Sequence, residues 1–171
     1  MPDEPARLSG ELQRLIDRAA ISDVVIAYAT GVDTRNWELY RSIFTDPCTF
    51  DFSSWNGRPA VSMPADDWVT GVRGTLSGFD ATQHISTNHV ITFERAEAAG
   101  HDRARCVSYM QAQHFLADQP VTCCTLGGYY TNDLVHTDDG WKITRCQLTV
   151  TWSTGDRGLF GIARARWAAR E

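Results

Sequence analysis

"PVTCCTLGGYYTNDLVHTDDGWKITRCQLTVTWSTG" occupies residues 120–155. It reads as two long strands, 120–137 and 141–155, rich in Thr, Val, Tyr, Leu and Trp and joined by a tight Asp-Gly turn at 138–140. Working back along the chain, "RARCVSYMQAQHFLA" (103–117) and "HISTNHVITFE" (84–94) carry the same strand signature. About four antiparallel strands therefore fill the second half.

The first half has helical period instead. Leu8, Leu12, Leu15, Ile16, Ala19, Val24, Val25, Tyr28 and Val32 recur three and four apart, with Arg14, Asp17, Arg18 and Asp23 between them. Gly31 is a stop signal. "NWELYRSIF" (36–44) predicts a second, short helix capped by Asn36. "PCTFDFSSW" (47–55) and "RPAVSM" (58–63) read as short strands. "MPADDWVTGVRGTLSGF" (63–79) predicts a third helix, with Pro64 in its first turn and Asp66 and Asp67 at the positive end of its dipole. Helices first and antiparallel strands last predict an α+β fold. Three N-terminal helices would pack on one face of a curved, cone-shaped antiparallel sheet and enclose a pocket. No repeat or linker interrupts the chain, so residues 1–171 read as one domain with its core at about 8–155. The tail 156–171 reads as a helix or arm packed on that domain. A membrane-surface helix would be longer and Lys-rich.

The 171 residues are 43% hydrophobic and 22% charged, with a net charge of −5. No broad basic face is expected, which argues against nucleic acid. Five cysteines, an odd number without a CxxC pair, read as reduced thiols and point to the cytoplasm. The polar start "MPDEPARLSGELQ" lacks the apolar core of a signal peptide, and no run is long and apolar enough to span a membrane. Gly-rich phosphate loops, HExxH and GxSxG are absent, and the histidines lack metal-ligand spacing. Neither a cofactor nor a metal is expected.

Histidines stand at 84, 89, 101, 114 and 136. His101 and His136 read as exposed turn residues. In the strand 103–117, Cys106, Ser108, Met110, Ala112 and His114 share one face; Val107, Tyr109, Gln111, Gln113 and Phe115 share the other. By pattern alone His114 is either a satisfied structural histidine or a site residue. Asp33, in "GVDTRNW" (31–37), is either a solvated helix-end charge or a partner for His84 in "ATQHIST". Thr34, Arg35 and Asn36 read as the turn into the next helix.

"YATGVDTRNWELYRSIFTD", "TQHISTNH" and "GGYYTNDLVHTDDGWKIT" together resemble the SnoaL-like branch of the nuclear transport factor 2 superfamily, over roughly residues 8–155. Within it the chain is most similar to the scytalone dehydratase and hexachlorocyclohexane dehydrochlorinase families, both cofactor-free eliminases. The resemblance implies the cone-shaped fold, a His general base at His84 and an orienting carboxylate at Asp33. It also implies an assisting donor at His114 and a phenolic donor at Tyr28. Phe52 stands where scytalone dehydratases carry a pocket Tyr, and their late-strand pocket Ser and Asn fall near Tyr129 and Thr131. A substrate other than scytalone is therefore expected. Trp55, Trp68, Asn88, Tyr109, Met110 and Trp152 complete the expected pocket. Such folds also associate through the outer sheet face, so a homo-oligomer, dimer or trimer, is expected.

Neutral imidazole suits proton abstraction near neutral pH, and a carboxylate on its second ring nitrogen fixes the tautomer. The expected activity is elimination, dehydratase-like, on a small hydrophobic cyclic or polycyclic substrate. Double-bond isomerisation with the same base, or a non-catalytic ligand-binding or subunit role, are the alternatives.

Overall fold

The computed structural model describes residues 4–94, 103–117 and 122–170. His101 and the Pro120–Val121 start of the expected 120–137 strand lie outside them.

The elements run α1 (Glu4–Asp33), α2 (Trp37–Ser42), β1 (Phe44–Asp51), α3 (Ser53–Asn56), β2 (Val61–Met63) and α4 (Ala65–Leu76). Then come β3 (Ala81–Glu94), β4 (Arg103–Leu116), β5 (Thr122–Thr137), β6 (Gly140–Gly155) and α5 (Leu159–Ala168). The architecture is α+β, with one six-stranded curved sheet in the order β2-β1-β6-β5-β4-β3. β3 to β6 form the expected antiparallel meander. Gly140, at φ 93°, makes the β5–β6 turn, a backbone state that glycine reaches without steric cost.

Three local readings change. β1 runs parallel to β6, not antiparallel. The rest of the domain lies between these two strands, so no hairpin dictates their direction. Trp55 stands in a single helical turn instead of a strand. Asp51 Oδ1 accepts from the Ser53 amide at 3.2 Å and the Ser53 hydroxyl at 2.7 Å, which turns the chain out of β1, and Gly57 at φ 71° closes the turn. Pro64 precedes α4 as its N-cap and does not occupy its first turn.

The core lies between the concave sheet face and the helices. Ile21, Val25, Tyr28 and Val32 anchor α1, and the Trp141 indole N–H donates to buried Asp17 at 3.1 Å. On the α2, α4 and β1 side, Phe50 stacks on Trp68 at 4.0 Å, and Trp68 donates to the Tyr40 hydroxyl at 3.0 Å. Asn36 caps α2 by accepting from the Leu39 amide. α5 closes over α4 and the end of the cone: a Cβ on Gly78 would lie only 1.8 Å from the Ala163 carbonyl oxygen. The tail is thus a helix packed on the domain.

Candidate active site

Asp33 is the last residue of α1, which packs along β3. Its Oδ2 accepts the His84 backbone N–H at 2.6 Å. Its Oδ1 accepts from His84 Nδ1 at 2.7 Å and from the Thr82 hydroxyl at 2.8 Å. A carboxylate only accepts, so Nδ1 carries the proton and Nε2 keeps a free lone pair. Thr82 in turn accepts from Arg35 Nη1 at 2.9 Å, and the same nitrogen donates to the Val32 carbonyl at 2.7 Å. Arg35 is therefore more than a turn residue. Its left-handed backbone, φ 59°, folds the guanidinium back toward the dyad. Burial alone would raise the Asp33 carboxyl. The hydrogen bond and charge of His84, its backbone N–H and the Thr82 hydroxyl outweigh burial and hold Asp33 below the ordinary carboxylate range.

His84 and His114 meet edge-to-face, ring centroids 5.3 Å apart. His114 is 2% exposed and lies against Phe79 and Phe160. Burial first, and then the neighbouring His84, push its pKa from 6.5 to about 3, so the ring is neutral. Its Nδ1 faces the Cys124 carbonyl at 3.3 Å. A carbonyl cannot donate, so Nδ1 bears the hydrogen and Nε2 is an acceptor. That corrects the donor role expected for His114: in this frame it accepts a hydrogen bond.

Keeping this ring neutral makes stability depend on pH. The folded pKa lies below the unfolded one, so the unfolded chain binds the extra proton between about pH 6.5 and 3. Stability is intact above that window and falls as pH drops through it, by up to about 1.4 kcal/mol per pH unit. His114→Phe keeps an aromatic ring among aromatics and is expected to flatten this slope. Urea unfolding at pH 6.0 and 4.5, for both proteins, measures it; equal slopes would refute the assignment.

Tyr28 and Tyr130 place their hydroxyls 3.4 Å apart in the site wall. Burial raises both above the usual tyrosine value, reinforced at Tyr28 by the neighbouring phenols Tyr130 and Tyr40 and at Tyr130 by Cys146, against the opposing hydrogen bond with Tyr28. Both remain protonated hydrogen-bond donors.

These groups border a cavity of about 770 Å³, large enough for a polycyclic ligand. Of the expected residues, Tyr28, Phe52, Trp55, Trp68, Met110, His84 and His114 line it, with Asp33 behind His84. Five do not. Tyr109, Tyr129 and Trp152 line a separate groove on the outer sheet face. Thr131 pairs with Val107 on that same face, and Asn88 is exposed at a bulge, at φ 57°. The cause is strand alternation: Met110 faces the core, so its neighbour Tyr109, 60% exposed, faces out. Sequence reasoning missed Tyr130, Leu126, Leu148 and Phe160. The first three were legible as inward positions once the parity of β5 and β6 was known. Phe160 reaches the cavity only because α5 folds over its end. Among the described residues, no three of His, Cys, Asp and Glu converge to hold a metal ion. No described helix is long and apolar enough to cross a membrane.

The sequence profile of the SnoaL-like domain matches residues 13–147. Scytalone dehydratase arp1 of Aspergillus fumigatus is 24% identical over 147 residues, covering 80% of this chain and 83% of that protein. The crystal structure of the Kfla4162 protein from Kribbella flavida superposes with a TM-score of 0.76 at 31% identity, covering 88% of this chain and 99% of that one. The hexachlorocyclohexane dehydrochlorinase LinA-type3 from Novosphingobium barchaimii superposes with a TM-score of 0.67 at 23% identity, covering 86% and 95%; at that identity it speaks for the fold alone.

Proposed function

The chain belongs to the SnoaL-like family, within the nuclear transport factor 2 superfamily, and on that premise we propose that it is a cofactor-independent lyase. The substrate is a small hydrophobic cyclic or polycyclic molecule that loses water. The observation carrying this reading is the 2.7 Å Asp33–His84 contact at the wall of a 770 Å³ aromatic cavity. Its similarity to a scytalone dehydratase points the same way.

His84 Nε2 takes the proton from a carbon of the substrate, and Asp33 stabilises the imidazolium that forms. Tyr130 donates to the Tyr28 hydroxyl, and Tyr28 donates a hydrogen bond to a substrate oxygen on which charge develops. Their raised pKa values make them poor proton releasers. His114 Nε2 accepts from a substrate hydroxyl and orients it. The departing hydroxide takes its proton from the His84 imidazolium. Water leaves, the double bond forms and the base is regenerated. The five unpaired thiols support a reducing, cytoplasmic setting.

The absence of a donor role for His114 favours a second reading. An isomerase needs no separate acid, because the same imidazole returns the proton to another carbon. Product mass separates the two. Cyclic β-hydroxy ketones and hydroxylated polycyclic ketones are incubated with the protein and analysed by mass spectrometry. A product lighter by one water is expected. Unchanged mass with a shifted double bond selects the isomerase, and no turnover of any substrate overturns both.

A further inference from the structure

α1 is longer than its docking needs. Every described side chain from Glu4 to Ile16 is exposed, and before Asp17 Arg14 reaches the body, its guanidinium 5.3 Å from the centre of the Phe93 ring. This free segment is not polar. Leu8, Leu12, Leu15 and Ile16 are 53%, 59%, 65% and 52% exposed, and Ala19 and Ile26 continue the stripe. The spacing 8-12-15-19 alternates four and three, the seam of a two-helix coiled coil. At about 100° per residue the stripe is centred some 150° from the docked face formed by Ile21, Val25, Tyr28 and Val32. A helix laid on the stripe would therefore clear the protomer's own body.

We propose that the stripe is covered by the same stripe of a second copy, the two α1 segments running antiparallel. Leu12 then meets the partner's Leu15, and Leu8 the partner's Ala19, with both contacts repeated by the two-fold axis. In this register Glu11 of each chain flanks Arg18 of the other. Sliding the helices by one heptad to include Ile26 would set Arg18 against its own symmetry mate. Charge therefore selects the shorter overlap. In one protomer Glu11 holds only the exposed Arg7, at 3.1 Å, and Arg18 donates to the Ile91 carbonyl at 3.2 Å. Both are available to a partner at the rim. This surface is distinct from the outer sheet face through which association was expected.

The test is sedimentation equilibrium of the full chain. Wild type is expected at twice the single-chain mass, and Leu12→Glu/Leu15→Glu at the single mass with unchanged circular dichroism. Glu11→Arg and Arg18→Glu are each expected to weaken the dimer at least several-fold, and the double exchange to restore it. A parallel pair would instead place the carboxylate introduced at position 18 beside the partner's Asp23 and weaken the double variant further. A wild-type monomer, a mass unaffected by the Leu12/Leu15 variant, or a double exchange weaker than either single would each overturn the proposal. Tyr109→Lys/Trp152→Lys, on the outer sheet face, should leave the mass unchanged; loss of the dimer there would assign the interface to the sheet.

Discussion

His84→Ala is expected to lower kcat by roughly 10²- to 10⁴-fold, the range over which a positioned base contributes. The fold should survive, because the substitution removes a side chain and not the backbone that Asp33 holds. Asp33 would keep the residue 84 amide and the Thr82 hydroxyl as donors. The carboxylate would not be left without partners, so the large stability cost of an orphaned buried charge does not arise. The variant should show wild-type circular dichroism and near-normal ligand binding, with the loss concentrated in the chemical step. Single-turnover kinetics with the substrate identified by mass spectrometry separates these quantities. Wild-type-like turnover would sink the base assignment and leave the cavity as a binding site.

Asp33→Asn should lose about 10³-fold or more, for a reason that geometry supplies. The carboxyl group makes three contacts, and two of its donors are fixed: the His84 amide on Oδ2 and His84 Nδ1 on Oδ1. An asparagine must turn its carbonyl oxygen toward the backbone N–H, which can only donate. Its NH₂ then points at Nδ1 and forces that nitrogen to become the acceptor. The proton moves to Nε2, the atom that must be free to abstract. The substitution changes no atom count and keeps the backbone contact, so the stability cost should stay near 1–2 kcal/mol. Thermal unfolding beside kcat measures both. A variant that unfolds in proportion to its activity loss would give Asp33 a structural role only.

The two substitutions also probe a difference in legibility. His84 and Asp33 are recognisable in the sequence only as a pair, through the resemblance of the runs that hold them. Neither has a distinctive local spacing, because they lie on different elements and meet through the α1–β3 packing. Thr82 and Arg35 went unread for the same reason. Arg35 looked like a turn residue, and only its left-handed backbone brings its guanidinium to Thr82.

The pocket residues show where pattern reading stopped short. Adjacent residues of a strand point to opposite faces, so Tyr109 and Met110 could not both line one cavity. Period two fixes which residues share a face but not which face is concave. In β5 both Tyr129 and Tyr130 are aromatic, so composition offers no vote; the structure turns Tyr130 inward and Tyr129 out. Trp152 was expected inside for its size, yet its ring lies across the outer side of Gly127, where a Cβ would come within 2.0 Å of it. The register shift between Gly127 and Gly128 resets the pairing of β5 with β6 beside it.

By itself the sequence determined the order and type of the longer elements, though not the single turn of α3, because helical and strand periodicities are local and the turn at Gly140 and the cap at Asn36 are read from neighbouring residues. It also determined which residues could carry acid–base chemistry. Tertiary structure decided which parity of each strand faces the helices, the parallel pairing of β1 with β6, the closure of the cavity by Phe160, and the proton positions on His84 and His114. Each of these depends on contacts between residues far apart in the chain. A hydrogen on a ring nitrogen is assigned by the carboxylate or carbonyl opposite it, and only the folded chain puts Asp33 and the Cys124 carbonyl there.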